Sequence, residues 1–259
     1  MTDPTTDRPP LPDPRKRRGR RILAWVLGSI GALVLLAVAA FLIWANVGVM
    51  PAEPAALAAV RDDPAVTLTD EGGAWVLAPA AGESDTGLVF IPGAKVEPVA
   101  YAATLVGVVE EGVTVVITKP TLNLAFFDFR PLSDFTALAP DVHDWFVGGH
   151  SLGGVRACQL AEGTEGLVLF GSYCANDLSD TDLAALSISG SEDGLSTPEK
   201  IDENAHLLPP DTVFVVIEGG NHAGFGAYGA QPGDGEATIP DADIRAQITD
   251  ALGPFLLAE

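Results

Sequence analysis

The chain has 259 residues and a formal charge of −21. Residues 1–21 hold seven Lys and Arg against three Asp, a net +4, so the remainder stands near −25. A body this acidic repels phosphate backbones, which argues against nucleic-acid binding. The roughly two hundred residues after the apolar start suit one domain with a full core. Residues 1–14, MTDPTTDRPPLPDP, are Pro-rich and polar. Disorder is expected there, and residues 1–21 as a whole are assigned to a disordered basic cytoplasmic tail. From Ile22 to Ala52 no residue is charged, and the run exceeds the roughly 20 residues that cross a bilayer. Trp25 and Trp44 sit near its ends, where indole rings favour the headgroup zone. The basic cluster before it predicts a cytoplasmic N-terminus and an exported remainder. A cleaved signal peptide is the competing reading, but the apolar run is longer than such segments and lacks a clean small-x-small site directly after it. The reading is an uncleaved signal anchor over 22–49, a linker rich in Ala and Pro over 50–65, and a folded domain over 66–259.

The domain alternates. AVTLTD (65–70) and AWVLAP (74–79) read as an opening strand pair, and TGLVFIPG (86–93) as a buried strand ending in a turn. PVAYAATLVGVVEEG (98–112) has helical spacing and a Gly stop. VTVVITK (113–119) and WFVGGH (145–150) are strands, and VRACQLAEG (155–163) continues as a helix. GLVLFGS (166–172), LAALSISGS (183–191) and TVFVVIEGG (212–220) are apolar runs ending in turn residues. Residues 241–258 predict a last helix, interrupted near its end by Gly253 and Pro254. Short apolar strands between helices predict an α/β fold: a mostly parallel twisted sheet with helices on both faces. In such sheets ligands gather beyond the carboxyl ends of the strands, where Pro92-Gly93, Ser151, Asp193 and His222 all fall. Cys158 and Cys174 have no metal-site spacing, and two buried free thiols are preferred to a bridge.

Gly149-His150-Ser151-Leu152-Gly153 follows a strand and precedes a helix. A serine on such a strained turn is lifted above the sheet, and glycines on either side avoid collision with strand and helix. Its hydroxyl needs a base, and the base needs a carboxylate. Of the four histidines, His150 is inside the turn and expected to point elsewhere. His143 should lie at the opposite edge of the sheet, and His206 falls in the polar helical stretch IDENAHLL. His222, directly after the last clear strand, is the candidate base. Asp193 is the preferred acid, with Glu192 and then Asp177 behind it. The oxyanion donors should be the N–H of Leu152 and that of Ala94 or Lys95.

These segments, with FIPGAKVEPVAYAATL, LNLAFF, SGSEDGLST and GGNHAGFGAYGAQPGDGEATI, resemble the α/β-hydrolase superfamily over residues 66–259, in a bacterial branch related to dienelactone hydrolases. The resemblance implies a catalytic triad of Ser151, Asp193 and His222. Dienelactone hydrolases proper carry a cysteine nucleophile, so their substrate is not inherited. Only 42 residues separate Ser151 from Asp193, too few for a helical cap domain, so an open site walled by local loops is expected. Lys119, Asn123, Phe126 and Phe225 are candidate lining residues, as are Phe127 and Tyr228; the aromatics could equally pack beneath the loops. Lys119 would meet an anionic substrate or offset nearby carboxylates.

The expectation is a membrane-anchored, single-pass serine hydrolase with its domain outside the cytoplasm. It would cleave a small-molecule carboxylic ester or lactone through an acyl-enzyme, with no cofactor or metal implied. Its other partner would be the lipid bilayer, through residues 22–49. A thioesterase or amidase on the same triad, and a non-catalytic anchored binding protein, are the alternatives.

Overall fold

The computed structural model describes residues 14–82 and 84–258. It has two units, one ending at Val47 and one spanning Gly48–Glu259. The first is a single helix, α1 (Pro14–Asn46). Its segment Leu23–Asn46 is 24 residues long with mean hydropathy 2.7. At 1.5 Å per residue this makes about 36 Å, more than the ~30 Å hydrocarbon core of a bilayer. The helix is therefore long and apolar enough to span a membrane. It begins earlier than the sequence predicts: residues 14–21, assigned to a disordered tail, are helical. Proline suits the first turn of a helix, and the Arg and Lys that follow are good helix formers. The disorder expected over residues 1–13 lies outside the described residues.

The second unit is built on one eight-stranded sheet. Its elements in chain order are α2 (Pro54–Asp62), β1 (Val66–Asp70), β2 (Ala74–Pro79), β3 (Thr86–Ile91), α3 (Ala102–Glu110), β4 (Thr114–Thr118), α4 (Ser133–Thr136), β5 (Asp144–His150), α5 (Leu152–Leu160), β6 (Gly166–Phe170), β7 (Ala184–Gly190), α6 (Pro198–Asn204), β8 (Val213–Ile217) and α7 (Asp241–Leu256). The strand order is β1-β2-β4-β3-β5-β6-β7-β8. β1, β2 and β4 pair antiparallel, and every later neighbour is parallel.

The continuous apolar runs are explained by burial on both faces. Side chains alternate across the sheet. Leu88 and Phe90 of β3, Val115 and Ile117 of β4, Val168 and Phe170 of β6, and Leu186 and Ile188 of β7 enter one core. There they meet Leu105 and Val108 of α3 and the row Ile244, Ile248, Leu252 and Leu256 of α7. The intervening Val89, Ile91, Val116, Leu167 and Leu169 face the other core, against Ala157 and Cys158 of α5. Full burial of each large aliphatic chain is worth about 1.5–3 kcal/mol, so these two layers hold the strand ends in register.

Three further expectations are corrected. Residues 50–65 are not a bare linker: Pro54 starts α2, whose Val60 is buried in the first core. The stretch read as Ala/Pro spacer is a short amphipathic helix. Cys158 and Cys174 form a disulfide, with Cα atoms 5.6 Å apart, because β6 runs back beside α5 and returns the chain to it. At the C-terminus α7 continues through Pro254 to Leu256, held by buried Leu252 and Leu256. As expected, no cap domain is present among the described residues: only residues 171–183 join β6 to β7, and none of them is helical.

Candidate active site

Four turns meet at the carboxyl rim of the sheet. Ser151 directly follows β5 and is the N-cap of α5, with φ 51° and ψ −123°. A positive φ on a non-glycine residue is strained by about 1–3 kcal/mol and persists only where the surroundings enforce it. They do so here by close backbone approach. A Cβ on Gly149 would collide with the backbone of Gly153, and a Cβ on Gly153 with the carbonyls of Ile91 and Pro92. Ser151 N–H donates to Phe170 O at 3.0 Å, and Ser172 Oγ donates to Ser151 O at 2.7 Å. The turn is thus clamped between β3 and β6.

Asp193 and His222 come from the turns after β7 and β8. His222 Nδ1 and Asp193 Oδ2 are 2.7 Å apart, and both side chains are fully buried. The other carboxylate oxygen accepts the N–H groups of Leu195 (2.8 Å) and Ser196 (2.7 Å). An ionised carboxylate only accepts, so Nδ1 carries the proton. His222 Nε2 is left with its lone pair, buried and without a hydrogen-bond partner. The pair lies over the end of β6: a Cβ on Gly171 would stand 2.9 Å from Asp193 Oδ2 and 3.1 Å from His222 Nδ1. Gly171 is also the residue after Phe170, whose carbonyl holds Ser151. The structure therefore brings Ser151, Asp193 and His222 to one place, with no hydrogen bond from the Ser151 hydroxyl to Nε2 among the described residues. Glu192 and Asp177 are exposed, and their carboxylates bond Ser191 and Ser179. His143 is at the opposite edge, with its N–H on Asp85 O at 2.9 Å, and His206 is exposed.

The turn after β3 supplies the facing wall. Gly93 N–H donates to Tyr101 Oη at 3.0 Å, and Lys95 N–H donates to Asn123 O at 2.8 Å. Between them, Ala94 N–H has no partner among the described residues, nor has Leu152 N–H. Of the two readings for the second donor, the structure leaves Ala94 and occupies Lys95.

The lining residues divide. Phe126 is half-exposed, but Phe225 is fully buried between His150 and Phe170 and is core rather than wall. Lys119 pairs with Asp70 and lies over the Trp75 ring, 4.4 Å from its centroid, so it offsets a carboxylate. Asn123 contributes its carbonyl to Lys95. Tyr228 is buried and bonds Gln231 Oε1 at 2.9 Å.

His150 does not point elsewhere. Its ring is fully buried, 2.8 Å from Tyr101 Oη through Nδ1 and packed at a tilt against His222. Burial pushes its pKa well below the usual histidine range, and the nearby His222 lowers it further. Sequence reasoning also missed Asp234. Its Oδ1 accepts N–H groups from Gly194 (3.1 Å) and His222 (3.2 Å), and its Oδ2 accepts that of Ala223 (2.8 Å). In QPGDGE this Asp carries no signal beyond that of a turn residue.

A model of the alpha/beta hydrolase family matches residues 87–246. Among solved structures, the esterase domain of a Rhodothermus marinus protein is 12% identical, covering 73% of this chain and 97% of its own, with a TM-score of 0.54. An alpha-beta serine hydrolase homologue from Coxiella burnetii is 14% identical, covering 72% of this chain and 96% of its own, with a TM-score of 0.51. At these identities the likeness is one of fold. No curated protein matches the chain.

Proposed function

We propose that this chain, which belongs to the alpha/beta hydrolase family, is a serine hydrolase that cleaves a carboxylic ester or lactone through an acyl-enzyme. The observation that supports it is His222: its Nδ1 proton is committed to Asp193, and its free Nε2 lies at the rim where Ser151 is held in a strained turn. The reaction requires the Ser151 hydroxyl to reach Nε2, a contact that often tightens only when substrate is bound.

His222 Nε2 then takes the Ser151 proton as Oγ bonds to the carbonyl carbon. The carbonyl π pair moves to oxygen, and the Leu152 and Ala94 N–H groups hold that oxyanion. Collapse breaks the bond to the leaving oxygen, which takes the proton from Nε2 and departs as alcohol. Water repeats the sequence on the acyl-enzyme: it gives a proton to Nε2, its oxygen bonds to the acyl carbon, and Ser151 leaves with that proton. Asp193 holds the imidazole in the required tautomer and stabilises its charged form.

The reading also takes α1 as a signal anchor with its basic end in the cytoplasm. The Cys158–Cys174 disulfide supports export, since such bonds persist in oxidising compartments.

The test is labelling of the full chain by a fluorophosphonate, followed by peptide mapping. The expected adduct is on Ser151, lost in Ser151→Ala, together with turnover of short chromogenic esters. A protein that neither labels nor turns over any ester, thioester or amide would not be a hydrolase.

A further inference from the structure

The chain leaving α1 joins the folded domain at the catalytic rim. Met50 forms a bridge with Val96: its N–H donates to Lys95 O at 2.7 Å, and its carbonyl accepts Glu97 N–H at 2.8 Å. Ala52 N–H adds a bond to the Glu97 carboxylate at 2.8 Å. Met50 is thus fixed beside the turn that carries Ala94. Only residues 47–49 lie between it and Asn46, the last residue of the apolar helix. Four residue steps of extended chain reach at most about 14 Å. This bound is covalent and holds for any direction the helix takes. With α1 as the anchor of the proposed function, the turn that Met50 pairs with is tethered within that reach of the helix end.

The same rim carries an aromatic loop. Asn123 O accepts Lys95 N–H at 2.8 Å, so the loop is attached one residue past Ala94. Ala125 is buried in the core that includes Ile91 and Ala157. Beyond it, Phe126, Phe127 and Phe129 are 48%, 40% and 83% exposed. Three exposed phenylalanines in four positions form an apolar patch of the kind that marks a membrane or partner contact. Its base is rigid: Arg130 donates to Gly73 O (3.0 Å) and Lys119 O (2.8 Å). Asp128 is buried against the same guanidinium, 2.8 Å from Nε. From Pro120 to Arg130 these two are the only charged residues, and they neutralise each other. On a domain near −25, the loop is locally neutral and apolar, which suits a lipid surface and not a charged partner.

We propose that the loop Leu124–Phe129 docks on the surface of the bilayer that α1 crosses, with Phe126 and Phe129 at the headgroup boundary, and that the Ser151 site receives its acyl substrate from the lipid phase. The second half rests on the hydrolase reading; the docking does not.

The full chain in phosphatidylcholine nanodiscs tests both. With Cys158 and Cys174 paired, Phe129→Cys supplies the one free thiol for an NBD label. Glu162→Cys, in the turn between α5 and β6 at the opposite edge of the sheet, is the control. Docking predicts that lipids bearing a shallow doxyl group quench position 129 at least twofold more than position 162. Equal quenching overturns the docking, and so does quenching that appears only when anionic lipid is added, because the contact would then be one of charge. In the kinetic arm, Phe129→Ser should slow hydrolysis of a bilayer-dissolved long-chain ester tenfold or more, with a water-soluble short-chain ester held within twofold. Equal loss on both substrates, or loss on neither, overturns delivery from the lipid phase. A parent protein inactive on every ester would fail as a hydrolase and take the delivery half with it, and the quenching result would still decide the docking.

Discussion

The imidazoles of His150 and His222 lie 4.3 Å apart between ring centroids, at 44° between planes, and neither side chain reaches solvent. Their neighbours define their protonation. Gly93 N–H occupies one lone pair of Tyr101 Oη, and we assign the Tyr101 hydroxyl proton to the contact with His150, with Nδ1 as acceptor. In this assignment His150 is a neutral ring with its proton on Nε2, and the buried titratable groups around it are Tyr101, Tyr228 and His222. Its pKa is depressed on folding, so the unfolded chain binds a proton more readily. Stability is then complete above the unfolded pKa of about 6.5 and falls as pH drops below it, by about 1.4 kcal/mol per pH unit for one proton. Chemical denaturation of the parent and of His150→Gln, at pH 7.5 and pH 5, checks this. The parent should lose more stability between the two than the variant does. Equal losses would remove His150 as the source.

Tyr101 links that ring to the turn bearing Ala94. Tyr101→Phe leaves Gly93 N–H buried without an acceptor, at a cost of about 1–3 kcal/mol. Since Ala94 is the next residue, the expected effect is a fall in kcat of roughly tenfold with KM within threefold. Steady-state kinetics on a short-chain ester measures it. A raised KM with unchanged kcat would mean that Tyr101 shapes substrate binding and does not set the oxyanion turn.

Much of this rim was readable in the sequence because its signals are local. A buried strand ending in Gly149-His150-Ser151-Leu152-Gly153 before a helix needs no distant partner to be recognised. Asp193 and His222 stood out because each follows its own apolar strand by a few residues. Two of the misreadings depend on what the chain meets elsewhere. Period-two alternation puts His150 on the face opposite Gly149, but only the docking of the loop after β8 places His222 against it. The Cys158–Cys174 bridge requires β6 to bring residue 174 back to α5, which the spacing of 16 does not encode. The helix Pro54–Asp62 was masked by composition: alanines beside prolines resemble a spacer, although Pro54 sits where a helix accepts one.

The disulfide closes a loop that includes β6 and Ser172, whose hydroxyl holds the Ser151 carbonyl. A closure of this length stabilises a protein by about 3 kcal/mol. The Cys158→Ser, Cys174→Ser variant should melt about 6–12 °C lower in a domain of this size. Activity at 25 °C should stay within a few-fold, because neither sulfur touches the catalytic rim. An unchanged melting temperature would show that the loop is already fixed by the buried strand.

Asp234 ties the two loops of the acid and the base together. Gly194 follows Asp193 and Ala223 follows His222, and one carboxylate binds the N–H of both, as well as that of His222 and its own neighbour Gly235 at 2.7 Å. Hydrogen bonds to a charged acceptor contribute about 1.5–3 kcal/mol each, although not additively. Asp234→Ala releases all four donors and lets the 2.7 Å contact between Asp193 and His222 drift, and small misplacements of a catalytic base are costly. The expected result is a fall in kcat of about 30–100-fold with KM changed less than threefold. Asp234→Asn keeps one acceptor oxygen, enough for the Oδ1 contacts to Gly194 and His222, and should recover part of the loss. Kinetics and melting temperature measured on the same samples separate positioning from bulk stability. If both variants melt lower but keep the parent kcat, Asp234 holds the fold and not the catalytic pair.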